Sequence, residues 1–341
     1  MMKPVIFEME TSDPDDFLTL LWLADHPLVD LQAVLVTPGS HDQCQLVRWG
    51  LDQCGREDVV VGALHGTAWW DTADGRKPRV SGFHYKVYGE QLRDYRPGEV
   101  GRGPAVLAAF LDVNLVAVKG GHREPVTVLV GSPPKNLGAA LDEEGADFSL
   151  PRWVQQGGFA GDNLVAPADR LEKFKGKLTC PSFNPGGAPK QMLALLGAPI
   201  GRRVLVSKNV CHGVVWNPAL QVQMKARVAL RHELARLEEA NRSAPMMKAR
   251  GADGIPEPFD IRLGLKLMMY GLDCYLRDKG TAKAMHDLVA AAVVVDESVV
   301  RLVEVEVYRE KGDWGARAKE ETGTFISVGI DHAKFLEVLS Q

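Results

Sequence analysis

The sequence lacks the features that mark several classes of protein. Its 341 residues include five cysteines, none of them in a CxxC pair, so neither a disulfide framework nor a zinc knuckle is indicated. The net charge is −4 and no basic stripe is present, which argues against nucleic-acid binding. No apolar run approaches membrane-spanning length, and no secretory signal pattern opens the chain. Neither GxGxxG nor a Walker A loop occurs. These absences predict a cytoplasmic protein with no membrane or nucleic-acid partner.

A concentration of carboxylates stands where the first predicted strand ends. Glu8 and Glu10 are two residues apart and project from the same side of that strand. Asp13 precedes a proline and reads as a helix cap, with Asp15 and Asp16 in the first helical turn. Open α/β sheets bind ligands at this end of their strands. A divalent-metal or acid/base site explains these acids, and so does a set of solvated helix caps.

Strand-like runs alternate with helical segments along the chain, which predicts βαβ units. The further predicted strands, each with the turn that follows it, are Leu31–Ser40, Asp58–Gly66, Val126–Pro134 and Arg203–Val210. The fold class is therefore α/β, a Rossmann-like, mostly parallel sheet with helices on both faces in one large domain, 1–341. Residues 67–103 predict a lid, and residues 229–258 predict an inserted charged helix and a linker. Candidate stacking groups in the lid are Trp69, Trp70, Tyr85 and Tyr88.

A second charged element lies far along the chain, where His286 and Asp287 precede a helix of small and branched apolar residues. A histidine beside a carboxylate at a helix start is a suitable pair for acid/base catalysis. A helix cap next to a loop histidine explains the same two residues. Both interpretations stay open when the segment is taken alone.

Several segments match one protein family in one order. The acidic opening resembles the fingerprint Asp-x-Asp-Pro-Gly-x-Asp-Asp, and residues 126–141, VTVLVGSPPKNLGAAL, resemble TLVATGPLTNLA. The segments GGFAGDN and CPSFNPGGAPKQML resemble Gly-Gly…Gly-Asn and Glu-Phe-Asn…Asp-Pro-Glu-Ala, and MHDLVAAAVVVDES resembles His-Asp-Pro-x-Ala-Val…Asp-Pro. Over essentially its whole length, the chain resembles the inosine–uridine nucleoside hydrolase family. That resemblance implies an N-ribohydrolase, forming a homo-oligomer (dimer or tetramer), that releases ribose and a free base.

The resemblance also implies a role for each matching residue. A Ca²⁺ ion would activate water, and an all-oxygen ligand set suits such a hard cation. The implied metal ligands are Glu10, Asp16, Asp287 and the carbonyl of Gly131. Glu10 would also act as the base for water, and His286 as the general acid for the leaving base. The implied sugar-binding residues are Asp15, Ser40, Asn163 and Asn184.

The chain departs from the family pattern at several of these positions. Glu10 replaces an aspartate and an extra residue precedes the acid pair, Ser40 replaces an asparagine, and Ser182 replaces a glutamate. These departures motivate an alternative hypothesis, a member that binds ribosides without cleaving them. A further alternative is a haloacid-dehalogenase-like phosphatase, because Glu8-x-Glu10 mimics its Asp-x-Asp start, although glutamate then stands where the aspartyl phosphate would form. The sequence does not name the base.

Overall fold

The computed structural model describes residues 2–65, 80–119, 124–243 and 262–341. Trp69 and Trp70, with the rest of 66–79, and the predicted linker beyond residue 243 lie outside this part. The strands are β1 (Lys3–Met9), β2 (Val29–Val36), β3 (Val60–Ala63), β4 (Gly101–Arg102), β5 (Thr127–Val130), β6 (Leu150–Gln156), β7 (Thr179–Cys180), β8 (Ile200–Val206), β9 (Val215–Trp216), β10 (Lys283–Ala284), β11 (Val300–Glu310), β12 (Asp313–Ala318) and β13 (Thr324–Ile330).

The helices surround the sheet that most of these strands form. They are α1 (Pro14–Ala24), α2 (His41–Gln53), α3 (Gly82–Tyr88), α4 (Gly103–Lys119), α5 (Lys135–Glu144), α6 (Phe183–Gly187), α7 (Pro189–Gly197), α8 (Lys208–Cys211), α9 (Pro218–Ser243), α10 (Leu263–Lys279), α11 (His286–Val295) and α12 (His332–Leu339). None of the described helices combines the length and the apolarity that crossing a membrane requires.

The main sheet has the strand order β4-β3-β2-β1-β5-β6-β8-β13-β11-β12-β7. Neighbouring strands run parallel from β4 to β13, and the edge formed by β11, β12 and β7 is antiparallel. Each strand predicted from the sequence coincides with an observed one and ends a few residues earlier, where the turn begins. The predicted α/β class and mostly parallel sheet are therefore confirmed.

Helices cover both faces of the sheet, as the alternation along β1 shows. Val5 and Phe7 contribute to the core beneath α1, α2, α10 and α11, whereas Ile6 contributes to the core beneath α4, α5 and α7. A strand buried on both faces is apolar almost throughout, which is typical of parallel sheets. This burial explains why VIF is predicted to form a strand. It also indicates that the polar side chains near the end of β1 have a function, since they interrupt an apolar strand.

The chain order reverses direction between β1 and β5, because β2, β3 and β4 extend to one side and β6 and β8 to the other. Such a switch point opens a crevice outside the carboxyl ends of the two strands. Glu8 to Asp16 lie at the end of β1, and Gly131 directly follows β5. The fold thus brings the acidic opening and the glycine turn to the usual ligand position.

Two regions named from the sequence are partly described. Residues 80–103 of the predicted lid contain α3 and β4, and Tyr85 and Tyr88 are buried in the main core. The Tyr88 hydroxyl donates to the carbonyl of Leu267 at 3.1 Å, so this ring packs against α10. The charged segment from residue 229 continues α9, which begins at Pro218, instead of starting a helix of its own.

Candidate active site

Asp13 organises the turn between β1 and α1. Its Oδ1 accepts a hydrogen bond from the backbone N–H of Asp15 at 3.0 Å, which caps the helix as predicted. The same oxygen lies 2.7 Å from Nζ of Lys283, a lysine on β10 whose side chain is 6% exposed. This neighbouring ammonium holds the pKa of Asp13 below its usual range, although burial alone would raise it. Asp13 is therefore a cap with its own counter-ion.

Asp15 connects the two charged elements that the sequence separates by 271 residues. Its Oδ2 accepts from the backbone N–H groups of His286 at 2.6 Å and Asp287 at 3.0 Å, and so binds the N-terminus of α11. Its Oδ1 is buried and has no hydrogen-bond partner in the described part of the chain. Burial raises the pKa of Asp15, while Lys283 and His286 oppose that shift. One oxygen of Asp15 thus remains available to a ligand.

Asp16 and Asp287 form a buried pair of like charges. The side chains lie within hydrogen-bonding reach of each other, and each residue is at most 4% exposed. Burial raises both pKa values well above their usual range; the charge of Asp287 adds to the shift of Asp16, and that of Asp15 to the shift of Asp287. Asp287 Oδ1 has no partner among the described residues. Such a pair requires a shared proton or a cation.

Gly131 approaches the acid pair closely because it has no side chain. A methyl group on its Cα would stand 2.9 Å from Asp287 Oδ1 and 3.2 Å from the ring of Phe7. The Gly131 N–H donates to the carbonyl of Glu8 at 2.8 Å, which joins the ends of β5 and β1. Its carbonyl accepts from Asn184 Nδ2 at 2.7 Å. Gly131 therefore lies beside Asp287, and Asn184 binds its carbonyl. The predicted roles of Gly131 as a metal ligand and of Asn184 as a sugar-binding residue stay predictions.

Gln156 contacts the predicted sugar-binding residue Asn184, although the sequence did not indicate it as a candidate. Its Oε1 accepts from Asn184 Nδ2 at 2.7 Å, and its Nε2 donates to Cys211 Sγ at 3.3 Å. It is the last residue of β6, the strand next to β5. A polar residue at the end of a buried parallel strand was the available signal.

Cys211, His212 and His286 form a cluster next to the acids, because the N–H of His286 donates to Asp15. One potential donor atom from each lies within 4.8 Å of the others, and the two imidazole centroids are 4.3 Å apart. His212 Nδ1 lies 2.9 Å from the ammonium of Lys173, and Cys211 Sγ accepts from Gln156. Burial raises the pKa of the Cys211 thiol to about 12 and, as the largest of several causes, lowers that of His212 to about 3. Burial therefore disfavours a charge on Cys211 and on His212.

Glu10 belongs to the same turn, but its carboxylate has a different neighbour. Its backbone N–H donates to Asp16 Oδ1 at 3.0 Å. Its side chain hydrogen-bonds with Ser12, and burial followed by the charge of Asp13 raises its pKa. Ser12 lies in the turn between β1 and α1, which has one residue more than the family pattern. The predicted roles of Glu10 as base and metal ligand stay predictions.

The structure places two predicted sugar-binding residues in other hydrogen bonds. Ser40 is buried and caps α2, since its Oγ accepts from the N–H of Gln43 at 3.3 Å while Gln43 Oε1 accepts from the N–H of Ser40 at 3.0 Å. Asn163 is exposed, and its Nδ2 donates to the carbonyl of Ala316 on β12 at 2.9 Å. Their contacts with a sugar stay predictions.

Glu8, the other acid of the first strand, is a structural anchor. It is fully buried. Its carboxylate accepts from Thr37 Oγ1 at 2.9 Å, from the N–H of Asn136 at 2.7 Å and from the N–H of Leu137 at 3.0 Å. These bonds connect β1, the end of β2 and the N-terminus of α5. With both oxygens engaged, Glu8 is a poor candidate for a phosphatase nucleophile.

The chain has the α/β fold of the nucleoside hydrolases. It resembles the inosine-uridine preferring nucleoside hydrolase from Bacillus anthracis at a TM-score of 0.61 and 15% identity, over 99% of this chain and 98% of the other. The purine-preferring ribonucleoside hydrolase from Gardnerella vaginalis gives a TM-score of 0.57 and 16% identity, over 99% and 98% of the two chains. The plant nucleoside hydrolase PpNRh1 gives 0.57 and 17%, over 100% and 98%. No family model and no curated protein matches the sequence.

Proposed function

We propose that the protein hydrolyses the N-glycosidic bond of a ribonucleoside or a related ribosyl compound, giving ribose and a free base. The observation that carries this proposal is the buried cluster of Asp15, Asp16 and Asp287 at the switch point of the sheet. The solved proteins that share the fold are described as hydrolases of inosine, uridine or purine ribonucleosides. At 14–17% identity they support the reaction class and leave the base open.

A divalent cation fits the acid cluster. Asp15 Oδ1 and Asp287 Oδ1 are buried without partners in the described residues, and Asp16 adds a third buried carboxylate. An all-oxygen, negatively charged donor set selects a hard ion such as Ca²⁺. Asp16 and Asp287 would hold it, together with Glu10 and the Gly131 carbonyl. When bound, the ion would lower the pKa of a water molecule and orient ribose hydroxyls.

The protein's own groups then account for the remaining chemistry. In this proposal Asp15 Oδ1, which has no partner among the described residues, would accept a hydrogen bond from a sugar hydroxyl. Asn184 would contact the sugar through its Oδ1, because its Nδ2 donates to Gly131 and Gln156. Cleavage of the N-glycosidic bond develops positive charge on the ribosyl ring, as in glycoside hydrolysis. The carboxylates of the cluster would stabilise that charge, because they are buried and fixed in position before the reaction begins.

Proton transfer is assigned to Glu10 and His286. Burial raises the pKa of the Glu10 carboxyl, which brings it closer to the range of an efficient base at neutral pH. His286 Nδ1 is buried without a partner in the described chain, next to the acids. Burial lowers the pKa of His286 and Asp15 opposes that shift. In this role the imidazole passes a proton to the departing base.

The test is release of reducing sugar from a panel of purine and pyrimidine ribonucleosides, with and without a chelator. Asp16→Asn and Asp287→Asn should each lower kcat/KM by at least about a hundredfold. Asp42→Asn is the matched control, because Asp42 is an exposed acid in the first turn of α2. Full activity of both cluster variants would overturn the assignment of the site. Riboside binding without sugar release would favour the non-catalytic alternative, and phosphate release alone would favour a phosphatase.

Three further expectations from the sequence belong to this proposal. The substrate is a small molecule, the protein is cytoplasmic, and it assembles as a homo-dimer or homo-tetramer. Light scattering of the purified protein measures the assembly directly, and a monomeric mass at assay concentration would contradict that part.

A further inference from the structure

Two lysines from different loops meet at one aromatic ring on the rim of the site. Lys173 Nζ lies 5.2 Å and Lys208 Nζ lies 5.5 Å from the centroid of Phe174. Lys173 belongs to the short turn between β6 and β7, and Lys208 is the first residue of α8, directly after β8. The fold therefore brings together two charges that the sequence separates by 35 positions.

Neither ammonium group has a carboxylate partner among the described residues. Lys208 Nζ donates to the carbonyl of Pro181 at 2.7 Å, and Lys173 Nζ lies 2.9 Å from His212 Nδ1. The acid beside Lys173 in the chain, Glu172, lies 3.6 Å from Lys175 instead. Two positive charges held on neutral partners form a site for an anion.

Two histidine side chains connect this rim to the acids. Phe174 contacts His212 edge-to-face with centroids 5.5 Å apart, and His212 contacts His286 at 4.3 Å. The N–H of His286 in turn donates to Asp15. The contacts thus run from the buried carboxylates, through two imidazole rings, to two ammonium groups.

Ser182 distinguishes the surroundings of Lys208 in this chain from the family pattern. The position resembles one that carries a glutamate in the nucleoside hydrolase family, and here it is a buried hydroxyl that accepts from the N–H of Gly158 at 3.0 Å. Lys208 binds the carbonyl of the residue just before it, and the N–H of Lys208 donates to the carbonyl of Gly158 at 3.2 Å. Lys208 therefore lies next to a neutral hydroxyl, where the family pattern has a carboxylate.

We propose that the rim formed by Lys173 and Lys208 is an anion subsite, and that the substrate class is an anionic riboside. The sugar would lie over the acids, and a negatively charged group on the same molecule would reach the two lysines. This inference rests on the proposed function. A 5′-phosphate and a carboxylate on the base supply the same chemistry, and the substrates tested distinguish them.

The experiment compares pairs of substrates that differ by one anionic group. Inosine is compared with inosine 5′-monophosphate, and uridine with orotidine, which carries a carboxylate on the base. The anionic member of one pair should have a kcat/KM at least about tenfold higher, since a charge-assisted hydrogen bond contributes at least that factor. Lys173→Met and Lys208→Met should each reduce this preference. Lys175→Met is the matched control, an exposed lysine of the same loop.

Preference in the first pair assigns the subsite to a phosphate, and preference in the second assigns it to a base carboxylate. No preference in either pair, or a preference that survives the double substitution of Lys173 and Lys208, would refute the subsite. If no riboside is hydrolysed, the proposed function fails and calorimetry decides the inference. Lysine-dependent binding of inosine 5′-monophosphate over inosine would then support an anion subsite, and equal binding would refute it.

Discussion

Replacing Gly131 with alanine tests whether the ends of β1, β5 and α11 form one site. The new methyl group would stand 2.9 Å from Asp287 Oδ1 and 3.0 Å from its Cγ. The opposite side is closed by the Phe7 ring at 3.2 Å, so the methyl group cannot retreat. Asp287 cannot move outward freely either, because it is 4% exposed and its N–H is bound to Asp15 at 3.0 Å.

The size of the effect follows from these distances. An ordinary contact of a Cβ atom is 3.4–4 Å, so the Asp287 carboxylate must shift by about 0.5 Å or more. Overpacking of this kind costs about 1–3 kcal/mol of unfolding free energy. Misplacing a catalytic group by about 1 Å can cost about a hundredfold in rate. We therefore expect a loss of about ten- to a hundredfold in kcat/KM, with the fold retained.

The assay measures kcat/KM for sugar release and the rise in Tm on adding CaCl₂. Gly131→Ala should weaken both, because both depend on the position of Asp287. Gly186→Ala is the control: this glycine lies in α6, two residues from Asn184, and a methyl group there would meet no atom within 4 Å. A folded Gly131→Ala protein with unchanged kcat/KM and unchanged response to Ca²⁺ would refute the placement of Asp287 in the site.

Three further predictions concern stability. Burial raises the pKa of Asp16, so the stability that its protonated form contributes is lost as pH rises through the folded-state value. The rise in Tm with CaCl₂ should therefore be larger at about pH 8 than at about pH 5, and Asp16→Asn should reduce that difference, whereas an undiminished difference would contradict the role of Asp16. Burial lowers the pKa of His84 to about 3, so stability present above the unfolded value of 6.5 is lost as pH falls. At about pH 5 the loss of unfolding free energy is about 2 kcal/mol. Urea titrations should show that His84→Leu removes this loss, whereas His332→Leu, a change at an exposed histidine, does not. Thr37→Val keeps the shape but removes a bond to buried Glu8, and should cost about 1–3 kcal/mol; unchanged stability would contradict the anchoring role of Glu8.

The fold and the acidic turn after β1 could be predicted from the sequence because their signals are local. Buried parallel strands are apolar on both faces, and the Asp13-Pro14 pair is typical of a helix start and predicts α1. The approach of Asp287 to Asp16 followed from the family resemblance, since no local pattern links residues at opposite ends of a chain. Gln156 and Lys173 were missed for the same reason: one ends a strand without a motif, and the other lies in a charged turn of ordinary composition.

The contrast between Asp15 and its neighbour Asp16 shows why adjacent acids need separate tests. Asp15 binds the backbone of α11 at two positions and presents only one oxygen to a ligand. Its removal would release the N-terminus of that helix, and so displace His286 and Asp287 even if Asp15 never touched a substrate. Asp16 binds the N–H of Glu10 and faces Asp287. A loss of activity in Asp15 variants therefore combines the displacement of α11 with the loss of a ligand contact. A loss of activity in Asp16 or Asp287 variants measures the effect of the charge of the acid cluster.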